Sequence, residues 1–187
     1  MNKKTIALTQ EQYKEIIYYM KNGFCGFRKN EKIATALILE ANIGIRISDI
    51  VELKLDDIIQ DGERYRLDII EKKTGKKRVF TIPFQIYQYI ENYCLKNNIK
   101  SNEKIFNITK RSIQRQLKIV CDFLEYDGIS THSFRKFFAT QIYINNNYNI
   151  ALVQQLLQHS SPTITQKYIG IQQKDIEKAI ENHICLL

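Results

Sequence analysis

Hydrophobic positions recur at helical spacing along most of the chain, and the rhythm breaks only once. Tyr13, Ile16, Ile17 and Met20 fall at i, i+3, i+4 and i+7, so they share one helical face. Thr9 with Gln12 three residues on forms a capping box that opens this helix, and Gly23 ends it. A second helix is expected over about 30–42, with Gly44 as its stop, and a short third helix carries Ser48, Ile50, Val51 and Leu53. After Asp56 the period drops to two. Ile58-Ile59, then Asp61-Gly62, then Tyr65 to Ile69 read as strand, tight turn and strand. Lys73-Thr74-Gly75-Lys76 is a second turn, and Arg78 to Ile82 alternates polar with apolar until Pro83 closes it. The pattern therefore predicts a three-stranded antiparallel sheet between about 57 and 82. Helices follow over about 84–97, 110–125, 133–146, 150–158, 162–168 and 174–184. The fold class is α+β, mainly α, with one small sheet set among helices.

The helix at 110–125 adds a charge pattern to the apolar one. Ile113, Leu117, Val120, Cys121 and Leu124 form a single stripe, while Arg111, Arg115 and Lys118 lie opposite. Such a basic face is most often plain solvated surface; facing DNA is its functional alternative. Charge over the whole chain sharpens the choice. The 187 residues hold 28 Lys and Arg against 20 Asp and Glu, a net +8. That length suits one domain with a real core, and the excess favours a polyanionic partner, nucleic acid or an acidic membrane surface.

Other classes fall away on the same reading. The longest apolar run, Ile33 to Leu39, is broken by Thr35 and closed by Glu40, far short of the roughly 18 residues of a spanning helix. Met1-Asn2-Lys3-Lys4 is basic, but no apolar segment of a secretory signal follows, so a cytoplasmic protein is expected. Cys25, Cys94, Cys121 and Cys185 are scattered without a CxxC pair, and only three histidines occur. Structural zinc is not expected, and the cysteines are expected to be reduced and packed as small hydrophobes.

Two of those histidines lie in suggestive places. His132 and Arg135 stand at i and i+3, on one helical face, and His159 precedes Tyr168 by nine residues. Gly44-Ile45-Arg46-Ile47-Ser48-Asp49 sets an arginine at a helix start with a carboxylate three residues on that can orient it. Lys72, Lys73, Lys76, Lys77 and Arg78 crowd one hairpin turn. Singly, each has an ordinary explanation: a C-cap glycine before a surface arginine, a solvated lysine turn, a histidine without a role.

Taken in order, these motifs resemble the catalytic domain of the tyrosine recombinase, or phage integrase, family. They are Gly-x-Arg-x-Ser-Asp at 44–49, Lys-Thr-Gly at 73–75, His-x-x-Arg at 132–135, and His159 nine residues before Tyr168. The stretches Arg46 to Leu53 and His132 to Thr140 match as text as well, and the resemblance covers about residues 7 to 175. It implies a site-specific recombinase that cuts and rejoins DNA through a covalent 3′-phosphotyrosine at Tyr168, without metal, ATP or other cofactor. Arg46 and Arg135 would grip the phosphate, His132 and His159 would donate to it, and Lys73 would protonate the leaving 5′ oxygen. Planar, permanently charged guanidinium suits two phosphate oxygens at once, and a phenol with a pKa near ~10 needs such help to become a nucleophile. Flanking DNA contacts are expected from Lys72, Lys76, Lys77, Arg78, Arg111, Arg115 and Lys118, with Asp49 supporting Arg46.

The same resemblance implies double-stranded DNA as partner, a homo-oligomer of two to four copies on DNA, and a nucleoid location in a bacterial or phage setting. The chain reads as one catalytic domain without the helical core-binding domain that usually precedes it, so a helper protein is a possible partner. The helix at 174–187 either packs on its own core or docks on a neighbouring protomer. Two departures stand out: Gln158 where the family usually has Gly, and Lys136 where a His is common. The alternatives are an idle DNA-binding accessory protein of the same fold and a strand-cleaving enzyme of the type IB topoisomerase kind.

Overall fold

The computed structural model describes residues 5–170 and Glu181, and these divide into two units, up to Phe138 and from Ala139 onward. Among the described residues no helix is long and apolar enough to cross a membrane.

The first unit is built around one helix. Its helices are α1 (Gln10–Asn22), α2 (Glu31–Ile43), the short α3 (Ile47–Ile50), α4 (Phe84–Lys96), α5 (Lys110–Phe123) and the start of α6 (Thr131–Asn145). Nine of the thirteen residues of α2 are buried, as befits a helix that is apolar nearly all round. It packs against α1 and α3, and α1 also packs on α5. Capping fixes the entries. The Thr9 hydroxyl accepts from Gln12 N at 3.2 Å, and Gln12 Oε1 accepts from Thr9 N at 3.0 Å. Asn30 Oδ1 caps α2 by accepting from Ile33 N at 3.1 Å. Gly44, at φ 69°, ends α2, and a Cβ there would stand 2.2 Å from the Phe138 ring, so backbone and ring pack where only glycine fits.

The sheet forms as its alternation predicts. Strands β1 (Ile58–Asp61), β2 (Arg64–Ile70) and β3 (Lys77–Ile82) lie in the order β1-β2-β3, all antiparallel. Ile58 faces Leu67, Leu67 faces Phe80, and Tyr65 faces Ile82. Ile58, Leu67 and Ile82 are buried, and Tyr65 stacks on Tyr87 of α4 with ring centroids 3.9 Å apart. The last β2–β3 pair is Ile70 with Lys77. Beyond it the turn closes on Glu71, whose N–H donates to Lys76 O at 2.9 Å and whose carbonyl accepts from Gly75 N at 2.8 Å.

Some local details differ from the sequence expectation. The third helix stops at Ile50, and a single turn of 3-10 helix, Leu55–Asp57, follows; Asp57 holds its start by accepting from Lys54 N at 2.8 Å. Helix α6 starts two residues early, because Ser133 Oγ accepts from Ser130 N at 3.1 Å and so stabilises an earlier first turn. Cys94 and Cys121 are buried as expected, but Cys25 is exposed. It sits in a four-residue turn closed by paired backbone bonds between Phe24 and Phe27, and Cys185 lies outside the described residues.

The second unit holds the rest of α6, then α7 (Ile150–Leu157) and α8 (Pro162–Ile169), which pack on each other. Asn149 caps α7, and Ser161 caps α8 with Pro162 at the first helical position. Gln158 links the two helices in the left-handed conformation, φ 52° and ψ 40°. The helix expected at 174–184 falls almost wholly outside the described residues.

Candidate active site

In the first unit the site grows from the junction of α2 and α3. Gly44 turns the chain, and Arg46 becomes the N-cap residue of α3 with an extended backbone. Glu40, buried on α2, accepts from Ile47 N at 3.0 Å and so pins the residue next to Arg46. Burial pushes the Glu40 carboxyl well above its ordinary pKa, against the opposing pull of the Ile47 N–H and the Arg135 charge. The Arg46 guanidinium then reaches across to the end of β2, where Nη1 donates to Glu71 Oε2 at 2.5 Å.

Glu71 is the hub of this half. Its Oε2 also accepts from the Thr74 hydroxyl at 2.8 Å, and its Oε1 takes Arg78 Nη1 at 3.1 Å. Burial alone would raise its pKa, but hydrogen bonds from Arg46, Thr74 and Arg78 more than offset this and hold it below the ordinary value. A charged Glu71 thus ties α3, the hairpin tip and β3 together. Lys73 lies on that tip beside Thr74 and is exposed, as is Lys76.

His132 and Arg135 lie one turn apart on α6. Arg135 is 1% exposed, an enclosed guanidinium, whereas His132 keeps open surface. Partial burial and the charges of Arg135, Lys136, Arg46 and Lys73 lower the His132 pKa to about 4. Those four cations therefore act on one imidazole. Arg46, Lys73, His132 and Arg135 converge here, with a net positive field where an anion can sit.

In the second unit, His159 Nδ1 lies 3.0 Å from Thr165 Oγ1 on α8. The His159 and Tyr168 rings meet edge to face, with centroids 5.0 Å apart and planes at 72°. Gln154 Nε2 donates to the His159 carbonyl at 3.2 Å. The left-handed Gln158 delivers His159 out of α7 through the conformation a glycine would take, so the departure at 158 leaves the turn intact and carries strain instead. Lys136, the other departure, donates to Thr5 O at 2.6 Å.

Two expected roles are corrected by this geometry. Asp49 does not clamp Arg46: it accepts from Lys72 N at 2.9 Å, holding the hairpin, and Glu71 clamps the arginine. Arg78 is not on the outer face of the hairpin with the lysines. It is 2% exposed, lies over the Phe80 ring at 4.8 Å, and pairs with Glu71. Burial, then the repulsion of Arg135, against the pull of Glu71, brings its pKa down to about 10, so it stays charged at neutral pH. The remaining basic residues are exposed. Lys72 pairs with Glu52 at 3.2 Å, Lys77 with Asp68 at 3.1 Å, and Lys118 with Asp122 at 2.7 Å. Arg111 and Arg115 stand one turn apart on the outer face of α5, among the described residues without an ion pair.

The sequence reading missed Glu71 and Glu40, and took Thr74 only as part of the Lys-Thr-Gly turn, not as a donor to Glu71. A signal for Arg78 was present: it is in phase with Phe80 and Ile82, the inward set of β3. Nothing local marks Glu71, whose partner Arg46 lies 25 positions away.

The sequence model named "Phage integrase family" matches residues 7–175. The chain is 33% identical over 169 residues to the probable integrase/recombinase YoeC of Bacillus subtilis, spanning 86% of each chain. It is 29% identical over 185 residues to tyrosine recombinase XerA of Pyrococcus furiosus, covering 94% of this chain and 60% of that one. Among solved structures, the catalytic domain of bacteriophage HP1 integrase superposes with TM-score 0.66 at 18% identity, over 96% of both chains. XerH recombinase, captured on its difH DNA substrate after cleavage, gives TM-score 0.67 at 19% identity over 96% of this chain and 53% of that one. These superpositions define the fold as that of tyrosine recombinase catalytic domains. The chain belongs to the phage integrase family, the tyrosine-type site-specific recombinases.

Proposed function

We propose that the chain cuts and rejoins double-stranded DNA at a specific site through a covalent bond from Tyr168 to a 3′ phosphate. Support comes above all from the convergence of Arg46, Lys73 and Arg135 on His132 in a chain of this family. Phosphoryl transfer asks a protein chiefly to position the phosphate and stabilise its charge. Arg46 and Arg135 bind the nonbridging oxygens. Arg46 comes already oriented by Glu71, so little side-chain freedom is lost on binding.

Tyr168 Oη attacks phosphorus in line and the bond to O5′ breaks. The phenol proton passes to His132, and Lys73 gives a proton to the departing O5′. His132 is neutral at pH 7 with its pKa near 4, so it is free to accept, and the phosphate's own negative charge strengthens it as a base. His159, held by Thr165, donates to the phosphate. The phosphotyrosine retains the phosphodiester's energy, and attack by a 5′ hydroxyl of another strand reverses the steps without ATP.

Arg111 and Arg115 on α5 and Lys72, Lys76 and Lys77 on the hairpin track the flanking backbone, with Lys118 more weakly engaged because Asp122 already holds it. Two to four copies assemble on the DNA, linked through the segment after residue 173, and a helper protein is a further partner there. The deciding experiment is covalent trapping on a nicked duplex whose short 5′-hydroxyl fragment, released by cleavage, diffuses away. Wild type forms a protein–DNA adduct, and Tyr168→Phe forms none while still binding. Absence of adduct from wild type on every site tried, the flanks of its own gene included, overturns this reading.

A further inference from the structure

The Glu71 carboxylate joins two parts of the chemistry at the site. One oxygen, Oε2, is shared by Arg46 Nη1 at 2.5 Å and by the Thr74 hydroxyl at 2.8 Å. Thr74 follows Lys73 directly, and the Glu71 backbone closes the same turn through Lys76 O and Gly75 N. The other oxygen is anchored by the buried Arg78. Asp49, from the same helix start as Arg46, holds the Lys72 N–H at 2.9 Å. The tip bearing Lys73 is thus fastened from both sides to the element that presents Arg46.

We infer that Glu71, through its shared oxygen, is a positioning residue that sets the Lys73 ammonium at the leaving oxygen of a phosphate gripped by Arg46. The inference rests on the recombinase reading above and adds to it. An exposed lysine on a turn samples many rotamers and backbone states. A general acid must lie within hydrogen-bond reach of the oxygen it protonates. Fixing the Thr74 hydroxyl to the same carboxylate oxygen as the arginine makes that reach a property of the fold rather than of chance. Glu71 itself moves no proton, because its pKa is held low by the three donors around it.

The test uses two nicked duplexes that differ only at the bridging 5′ atom of the cleaved bond, oxygen in one and sulfur in the other. An alkoxide must be protonated as it leaves; a thiolate, with a parent pKa near ~8.5, leaves without an acid. Wild type cleaves both. Lys73→Ala is slowed about 100-fold or more on oxygen and is restored on sulfur, as the loss of a general acid requires. Glu71→Gln and Thr74→Val should show the same signature, slowed about tenfold or more on oxygen and within about threefold of wild type on sulfur. Thr74 is exposed, so Thr74→Val keeps the test open where the Glu71 variant folds poorly, and circular dichroism confirms folding of both. Equal slowing on both substrates means that Glu71 acts through Arg46 or through stability alone and overturns the inference, as does wild-type cleavage of the oxygen duplex by both variants. A wild type that forms no adduct on either duplex sinks the recombinase reading itself, and the role of Glu71 with it.

Discussion

Buried charge around Glu71 should be markedly lopsided in its contribution to stability. Arg78 is 2% exposed and has its pKa drawn from the ordinary arginine value down to about 10. At about 1.4 kcal/mol per factor of ten, the folded protein spends roughly 3 kcal/mol holding this guanidinium charged, even with Glu71 beside it. Replacing Arg78 by Met removes that cost while keeping much of the stem's packing on Phe80. Glu71 retains Arg46 and Thr74, so it is not left uncompensated. Arg78→Met is therefore expected to match wild-type stability or exceed it, by up to about 3 kcal/mol.

Glu71→Gln is the opposite case. Its carboxylate lies 3.1 Å from Arg78 and 2.5 Å from Arg46, and a pair at such distances is worth about 5 kcal/mol at an effective dielectric of about 20. The amide returns part of this as neutral hydrogen bonds, which leaves a loss of about 3 kcal/mol. The double variant should recover more than half of that loss, because the stranded Arg78 is then gone. Urea unfolding followed by far-ultraviolet circular dichroism measures all three. Equal losses for Arg78→Met and Glu71→Gln, or strict additivity in the double variant, would refute the reasoning.

Four further outcomes follow from the structure. The His132 imidazole should titrate near pH 4 in the free protein and higher with vanadate or phosphate bound, as read by NMR. Its folded pKa lies below the unfolded value of 6.5, so its contribution to stability is full above pH 6.5 and fades as pH falls toward 4; flat stability across that window in wild type relative to His132→Ala would count against it. Gln158→Gly relieves a left-handed residue and should raise stability by up to about 1 kcal/mol in thermal unfolding, with adduct formation unchanged. Replacing Arg111 and Arg115 together by Ala should weaken binding to all DNA sequences alike and flatten the logarithmic salt dependence by about two; a sequence-selective loss would mean base contacts instead.

Much of this molecule is legible in the sequence because its signals are local. Thr9 with Gln12, Gly44, the two-residue alternation after Asp56, and Pro162 after Ser161 each fix an element from within a few positions. The cations Arg46, Lys73 and Arg135 are legible for a related reason: they fall within short motifs whose spacing the fold must keep. What stays hidden depends on pairing across the chain. Asp49 is nearer to Arg46 in sequence than Glu71 is, but β2 brings Glu71 to the guanidinium and leaves Asp49 to the Lys72 amide. Arg78 looks like one more cation in a basic turn until strand phase places it with Phe80 and Ile82. The α6 start moved because a serine side chain competed for a backbone donor, an effect too small for periodicity to register.

The enclosure of α2 has a consequence for variation. In α5 the buried positions Ile113, Leu117, Val120 and Cys121 leave most intervening sites open, so tolerance to substitution should rise and fall once per turn. In α2 only Glu31 and Asn42 are fully exposed. A saturation scan across it should give a near-plateau of intolerance with little helical beat, relaxed at its two ends and at half-buried Ile38. Drift among homologues would leave α2 nearly silent while the exposed faces around it change.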